Sequence, residues 1–297
     1  DLLTEDPEKL SDIKDRTKEK IFKPLGETFG RYINTEPMVH GGINDRFFSE
    51  RLKKDGKFGE IYGKKYFYFP SIGEELRMED LFNWQIITNG TMLDETIMDL
   101  VNEAKINLNP KEPRVFVLSQ GDMTESNITI NGIFFDFETA GINSLAQELA
   151  IFLCEIYFGA HYIYAKYSPI PKSLRTTAVD DFEKNVSASC QINHDKKQLQ
   201  IEMNFPFPKI KQVILENYLE QVIEPLESIL PERALKKTLI ELRSAILARI
   251  LVVKNITNFE EKDLLLSLGF VDHFLKDFDP NQKISEFIRD RFTTIKK

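Results

Sequence analysis

One stretch of this chain, residues 114–147, constrains the fold more than any other, because several local signals follow one another in order. Arg114 to Leu118 is a short apolar run that predicts a buried strand. After a polar segment, two β-forming runs flank Asn131-Gly132, the dipeptide typical of a two-residue hairpin turn. Ser144, followed three residues later by Gln147, then predicts the start of a helix. The predicted order is strand, polar loop, hairpin, helix.

The polar side chains of this stretch predict a cation site. Asp122 and Asn127 lie before the predicted turn, and Asp136 and Glu138 lie after it. With a two-residue turn, Asn127 faces Asp136, and the Cβ atoms of facing residues are about 4.5–5.5 Å apart. Carboxylate and amide oxygens are ligands that Mg²⁺ accepts. We therefore expect Asn127 and Asp136 to share a cation, with Asp122 upstream on the same loop.

The same residues resemble a known family. The order Gln120-Gly121-Asp122, four residues, Asn127, a hairpin and Asp136-Phe137-Glu138 resembles the catalytic core of the aminoglycoside phosphotransferase and choline kinase superfamily of small-molecule kinases. The resemblance is close over residues 115–152 and looser over 19–52. It implies that Asp122 is the catalytic base, that Asn127 and Asp136 bind magnesium, and that Gln120 and Glu138 are accessory residues. Gln120 stands where the family has His, and its amide can make similar hydrogen bonds.

This resemblance implies a kinase that uses ATP as phosphoryl donor and Mg²⁺ as cofactor to phosphorylate a hydroxyl of a small molecule. The acceptor stays open among an aminoglycoside, an amino alcohol, a sugar and a nucleoside. The family's ATP-binding lobe, a small sheet with a phosphate-pairing Lys, is not recognisable before Asp122, so we expect the nucleotide site upstream of Asp1 or on a partner. These 297 residues alone are then expected to be inactive. The alternative function is that of a pseudokinase, a kinase-like lobe that binds or regulates without catalysis.

The expected fold class is α+β and mostly α-helical, a protein-kinase-like C-lobe with a short catalytic β-hairpin. Residues 1–164 would form the core of the lobe, 165–208 a β-hairpin insertion, and 209–297 a helical subdomain. Four C-terminal helices are predicted, at 209–229, 232–253, 259–269 and 281–294. Residues 81–104 are also predicted to be helical, with a break at Asn89-Gly90, and Pro24 and Gly26 predict a break in the first helix.

Composition narrows the classes of partner. The net charge of −8, from 39 basic and 47 acidic side chains, disfavours nucleic acid as a partner and weakly favours a cationic substrate. No apolar run approaches the length of a membrane span. The two cysteines form no CxxC, and the four histidines show no zinc-ligand spacing. We expect a cytoplasmic protein without a membrane partner.

Overall fold

The computed structural model describes residues 6–40, 46–63, 65–124, 127–129, 131–167 and 177–296. In these residues the α-helices are α1 (Pro7–Thr17), α2 (Lys23–Tyr32), α3 (Phe47–Leu52), α4 (Lys57–Tyr62), α5 (Met78–Phe82), α6 (Ile97–Asn107), α7 (Leu145–Cys154), α8 (Tyr164–Lys166), α9 (Thr177–Glu183), α10 (Lys209–Tyr218), α11 (Glu224–Ile229), α12 (Glu232–Val252), α13 (Glu261–Leu275) and α14 (Ile284–Arg291). The strands are β1 (Tyr66–Phe69), β2 (Glu74–Arg77), β3 (Gln85–Thr88), β4 (Thr91–Met92), β5 (Phe116–Ser119), β6 (Gly141–Ser144), β7 (Ser187–Asn193) and β8 (Gln198–Asn204). The fold is therefore α+β and mostly helical.

At three places among the described residues, one α-helix continues into the next through a stretch of π-helix. Lys18–Phe22 joins α1 to α2, Glu155–Ile163 joins α7 to α8, and Leu219–Ile223 joins α10 to α11. Pro24 lies in the first turn of α2, directly after the π-helix, and a proline there has no N–H to donate to the preceding turn. At the predicted break near Pro24 the chain therefore changes from π-helix to α-helix.

A four-stranded sheet joins parts of the chain that are far apart in sequence. Its order is β4-β3-β8-β7, with β3 parallel to β8 and the other pairs antiparallel. Strand β8 alternates buried side chains with more exposed ones, and the hairpin that it forms with β7 packs against α13. This hairpin lies in the predicted insertion 165–208, and it shares its sheet with residues from before Asp122.

The prediction of two helices over residues 81–104, separated by a break at Asn89-Gly90, is wrong for the first helix. Only α6 and the short α5 are helical there, and β3 and β4 form a hairpin between them. Asn89 and Gly90 both have positive φ, 50° and 80°, which is the conformation of a two-residue turn that suits a hairpin. The Asn89 side chain also accepts a hydrogen bond from Met203 N at 2.8 Å and donates to Met203 O at 2.9 Å, so tertiary contacts to β8 favour the strand.

The centre of the core is α12, which is buried along most of its length and packs against α6, α7 and α13. The four predicted C-terminal helices are confirmed, with ends shifted by up to six residues. No helix among the described residues is long and apolar enough to span a bilayer.

The C-terminal end of α12 is held by three side chains from α3 and α4. Arg51 Nη1 donates to Val252 O at 3.0 Å, Lys57 Nζ donates to Val253 O at 2.8 Å, and the Tyr62 hydroxyl donates to Leu251 O. Carbonyl groups in the last turn of a helix have no helical donor, and cations there also complement the helix dipole. These contacts fix the end of α12 beside the loop that carries Asp122.

Candidate functional site

The loop with the predicted site residues, Gln120 to Ala140, is closed at its base by β5 and β6. These strands pair antiparallel, with Ser119 opposite Gly141. Asn143 Nδ2 ties both ends of the loop, donating to Ser119 Oγ at 2.9 Å and to Thr139 O at 3.0 Å. The loop therefore starts and ends at one point of the fold.

Buried charge anchors this base to α12. Arg114, just before β5, lies fully buried with its Nε 3.3 Å from Glu241 Oε1 on α12. The same carboxylate oxygen accepts a hydrogen bond at 2.7 Å from Ser144 Oγ, at the N-cap of α7. Removing one member of such a buried network leaves its partner uncompensated, so the base of the loop is a rigid support.

Gly121 lets the two ends of the loop touch. Its φ is +91°, and a Cβ at this position would lie 2.2 Å from the carbonyl oxygen of Thr139. Both facts exclude a larger residue without rearrangement. The Gly before Asp122 thus brings the residues around Asp122 against those around Asp136 and Glu138.

Gln120 connects the two halves of the loop. Its Oε1 accepts a hydrogen bond from Asp122 N at 2.9 Å, and its Nε2 donates to Phe135 O at 2.9 Å and to Asp136 O. The side chain is buried, so these hydrogen bonds are sheltered from water. Gln120 therefore fixes the backbone at Asp122 relative to the backbone at Asp136.

The predicted facing pair of Asn127 and Asp136 is wrong by one residue. Phe135 N donates to Asn127 O at 2.8 Å and Thr129 N donates to Ile133 O at 2.9 Å, so Asn127 faces Phe135. The loop between Thr129 and Ile133 has three residues, and of Asn131 and Gly132 only Gly132 has a positive φ, 77°. Three-residue hairpin loops with a left-handed Gly are a common alternative to the two-residue turn. Ile130, in this loop, lies outside the described residues.

A cleft of about 390 Å³ collects three of the five predicted site residues, namely Asp122, Asp136 and Glu138. Asp136 and Glu138 are exposed, and the Asp122 side chain is 41% exposed. Asn127 is not among the residues that line the cleft. Its Nδ2 instead donates to Asp122 O at 2.9 Å and to Asp122 Oδ2 at 3.3 Å, so it orients the Asp122 carboxylate.

Arg249, on α12, faces Asp122 across this cleft. Its Nη2 lies 3.9 Å from Asp122 Oδ1 and 3.7 Å from Glu155 Oε2, and its guanidinium carbon lies 5.5 Å from the centre of the Tyr164 ring. The Arg249 side chain is only 7% exposed, yet its buried Nε–H has no hydrogen-bond partner among the described residues. The Nη2 group of Arg249 is therefore beyond ordinary hydrogen-bond length from both carboxylates, and a guanidinium in the wall of a cleft is suited to an anionic ligand.

Lys254 adds a second cation to the same wall. It follows α12, lines the cleft, and its Nζ lies 5.8 Å from the centre of the Tyr164 ring. Among the described residues no carboxylate lies within ion-pair distance of its ammonium group, and burial lowers the pKa of Lys254. The cleft therefore has carboxylates on the loop side and two cations on the α12 side.

Burial shifts the pKa values of the acids in this cleft upward. Burial raises the pKa of Asp122, with a further contribution from Asp136, while Arg249 and the hydrogen bond from Asn127 act in the opposite direction. Burial raises the pKa of Glu155 to about 7, and Arg249 again opposes the shift. Carboxyl groups with raised pKa values in a cleft are typical of acid–base sites, although buried structural ion pairs also produce them.

Comparison of the chain with known protein families, with curated proteins and with solved structures finds no match. The resemblance to small-molecule kinases thus stays a prediction from the residues of one loop.

Arg249, Glu155 and Lys254 were not predicted, because only the packing of the helices brings them to the loop. A signal was present for two of them. Glu155 stands alone in the apolar run 149–158, and Arg249 stands alone in the apolar run 245–253. A single charge within a buried helical segment needs a partner, and here each is the partner of the other.

A second charged cluster, the Lys166 cluster, lies elsewhere and is closed. Glu183, Glu260 and Asp263 have oxygens within 4.8 Å of one another, a spacing that suits a cation. Lys166 Nζ already fills that role, at 2.7 Å from Glu183 and Asp263 and 2.8 Å from Glu260. Its ammonium group satisfies the carboxylates, so we assign this cluster a structural role.

Proposed function

We propose that the protein is an ATP- and Mg²⁺-dependent phosphotransferase that phosphorylates a hydroxyl of a small molecule in the cleft at Asp122. The observation that carries the proposal is that the two walls of the cleft carry opposite charges. Asp122, Asp136 and Glu138 lie on one side, and Arg249 and Lys254 lie on the other. Phosphoryl transfer requires a proton acceptor, oxygen ligands for a divalent cation and positive groups near the phosphates. These side chains supply all three.

The residues present fit a magnesium ion in their chemistry. Asp136 and Glu138 offer exposed carboxylates, which hard cations prefer, and the charge of Asp136 adds to the raised pKa of Asp122. A bound divalent cation would relieve that repulsion. When bound, magnesium would neutralise charge on the phosphate oxygens. Of the two predicted ligands we retain Asp136, and we assign Asn127 the positioning of Asp122.

In this proposal the chain's own residues act as follows. Asp122 accepts the proton of the acceptor hydroxyl as its oxygen bonds to the γ-phosphorus of ATP and the bond from that phosphorus to the bridging oxygen breaks, releasing ADP. Asn127 and Gln120 hold Asp122 in place through their hydrogen bonds. Arg249 and Lys254 contact phosphate oxygens, where a guanidinium and an ammonium both bind well.

A second candidate is a nucleotide-binding module without transfer. The contact that favours it is Arg249 beside Asp122, because a guanidinium stabilises the carboxylate and weakens it as a proton acceptor. Phosphate binding to Arg249 would weaken that contact and restore the basicity of Asp122.

The test combines binding with transfer on the full-length protein. We expect calorimetry to show MgATP binding, and phosphorus NMR to show a new phosphate monoester when small alcohols are added. MgATP binding without transfer to any alcohol would favour the binding module. The absence of both would contradict both candidates.

A further inference from the structure

A second cavity, of about 170 Å³, lies behind the loop that carries Asp122. Its wall is mostly apolar and comes from the first helical segment, the loop, the end of α7 with the π-helix after it, and α10. Its apolar side chains include Ile21, Phe22, Met123, Phe152, Ile156 and Ile214. No residue of the sequence analysis pointed to this cavity.

This cavity borders the cleft of the proposed function. Thr124 and Glu155 line both the cavity and the cleft. Met123 and Thr124 also follow Asp122 directly in the chain. A ligand with its body in the cavity can therefore present its other end to the cleft near Asp122.

We propose that this cavity binds the apolar body of a neutral alcohol, whose hydroxyl reaches Asp122. The inference rests on the proposed phosphotransferase function and narrows its acceptor to an uncharged alcohol with a compact hydrocarbon group. It disfavours aminoglycosides, sugars and nucleosides, whose polar groups would lose their hydrogen bonds to water in such a wall.

The size of the cavity sets the size of the hydrocarbon group. Apolar protein cavities of about 150 Å³ bind benzene-sized molecules and hold no water. At about 170 Å³, this cavity suits a group such as a tert-butyl or a phenyl ring. Longer chains would have to extend into the cleft.

The charges around the cavity favour a neutral ligand over a cation. Among the described residues that line the cavity only Glu155 is charged, and its carboxylate already lies 3.7 Å from Arg249. The Phe22 and Phe152 rings pack edge-on against each other, and both also pack on Tyr218, so they form no open aromatic cage. An ammonium group would thus lose its water and find, in the described part of the wall, neither a free carboxylate nor an aromatic cage to replace it.

A matched pair of alcohols tests this directly. Choline and 3,3-dimethylbutan-1-ol have the same shape, but choline has a quaternary nitrogen where the other has carbon. By calorimetry at pH 8 without nucleotide, we expect 3,3-dimethylbutan-1-ol to bind with a dissociation constant of about 1 mM or lower. We expect choline, and the polar control glycerol, to bind at least about tenfold more weakly.

A matched pair of variants locates the binding. Ile214 is half-buried in the cavity wall, and Ile214→Trp should fill the cavity and weaken binding of 3,3-dimethylbutan-1-ol by about tenfold or more. Ile229→Trp, at an exposed position on α11, makes the same change outside the cavity and should leave binding unchanged. If Ile214→Trp fails to fold, a competition experiment on the wild type tests instead whether 3,3-dimethylbutan-1-ol and benzyl alcohol bind at the same site.

The outcomes separate this inference from the proposed function. Tighter binding of choline, or equal binding by Ile214→Trp and wild type, would overturn the inference. Phosphorylation of glycerol but not of bound 3,3-dimethylbutan-1-ol would also overturn it, while leaving the phosphotransferase intact. Selective binding without transfer to any alcohol would leave the neutral-ligand site standing and contradict the phosphotransferase.

Discussion

The Lys166 cluster and the cleft at Asp122 both hold charged groups, and they differ in how completely those groups are satisfied. In the Lys166 cluster, one ammonium meets three carboxylates at 2.7–2.8 Å, and Tyr162 and Tyr167 also donate to Asp263. In the cleft, Arg249 lies 3.7 and 3.9 Å from its carboxylates and has an unsatisfied buried Nε–H. Satisfied buried charge stabilises one conformation, whereas unsatisfied charge beside a cleft is suited to a ligand. We therefore expect substitutions in the Lys166 cluster to lower stability and substitutions in the cleft to lower activity.

The largest expected effect is on stability at the Lys166 cluster. Lys166→Met leaves Asp263, which is fully buried, without its ammonium partner. We expect the free energy of unfolding to fall by about 3–5 kcal/mol, as when one partner of a buried pair is removed. Urea unfolding measures this, with the exposed Lys184→Met as control. An unchanged unfolding free energy would mean that the two clusters do not differ as described.

The next effect is on activity at the cleft. Asp122→Asn keeps the hydrogen bonds of the loop backbone but removes the proton acceptor, so turnover should fall by about 100-fold or more. The free energy of unfolding should stay the same or rise slightly, because burial disfavours the charged form of Asp122. Steady-state kinetics and urea unfolding measure both, with Asp195→Asn, at an exposed turn, as control. Full turnover in Asp122→Asn would remove it from the mechanism.

A smaller effect distinguishes the two predicted magnesium ligands. Asp136→Ala should weaken MgATP binding by about tenfold, because the cation loses an anionic ligand. Asn127→Ala should weaken it less, and should mainly lower turnover by releasing the Asp122 carboxylate. Calorimetry with MgATP at several magnesium concentrations measures the affinity. Equal affinities for wild type and Asp136→Ala would contradict the assignment of Asp136.

The smallest effect is a pH dependence from Glu155. Its pKa of about 7 in the folded state exceeds the ordinary value of 4.5, so between these values the folded protein holds a proton that the unfolded chain has released. This group therefore contributes stability that is lost as the pH rises from 4.5 to 7. Relative to wild type, Glu155→Gln should gain on the order of 1 kcal/mol in unfolding free energy for each pH unit between pH 5 and pH 7. The exposed Glu220→Gln should show no such gain. If the difference in unfolding free energy between Glu155→Gln and wild type is the same at every pH, the raised pKa of Glu155 is contradicted.

Two Asn-Gly dipeptides show how far the sequence predicts the fold. Asn131-Gly132 predicts a hairpin, and the hairpin exists, but the extra loop residue moves the register by one. Asn89-Gly90 is the two-residue hairpin turn, where the sequence predicted a break between helices. The dipeptide alone does not decide the type of turn, because each Asn side chain also makes a tertiary hydrogen bond. Asn89 bonds to Met203, and Asn131 accepts from Lys20 Nζ at 3.4 Å. Both contacts join residues more than 100 positions apart, beyond the reach of local patterns.

The candidate site shows the same limit, because local patterns reach only those residues that lie close together in the sequence. Asp122, Asp136 and Glu138 lie within one loop, and all three line one cleft. Arg249 and Lys254 reach that cleft only because α12 packs beside α7 and its end is held by α3 and α4. A prediction of these residues would have required the packing of the helices. The lone charges within apolar runs were the available hint.

The parallel pairing of β3 with β8 has a consequence for the folding of this protein during its synthesis. Gln85 pairs with Gln198, so β3 must wait until more than 100 further residues have been synthesised before its partner exists. At synthesis rates of about 5–20 residues per second, that delay is on the order of 10 s. Throughout it, the hairpin of β3 and β4 exposes an edge that can pair with other chains. The edge of β3 that later pairs with β8 is therefore unpaired while residues 93–197 are being made.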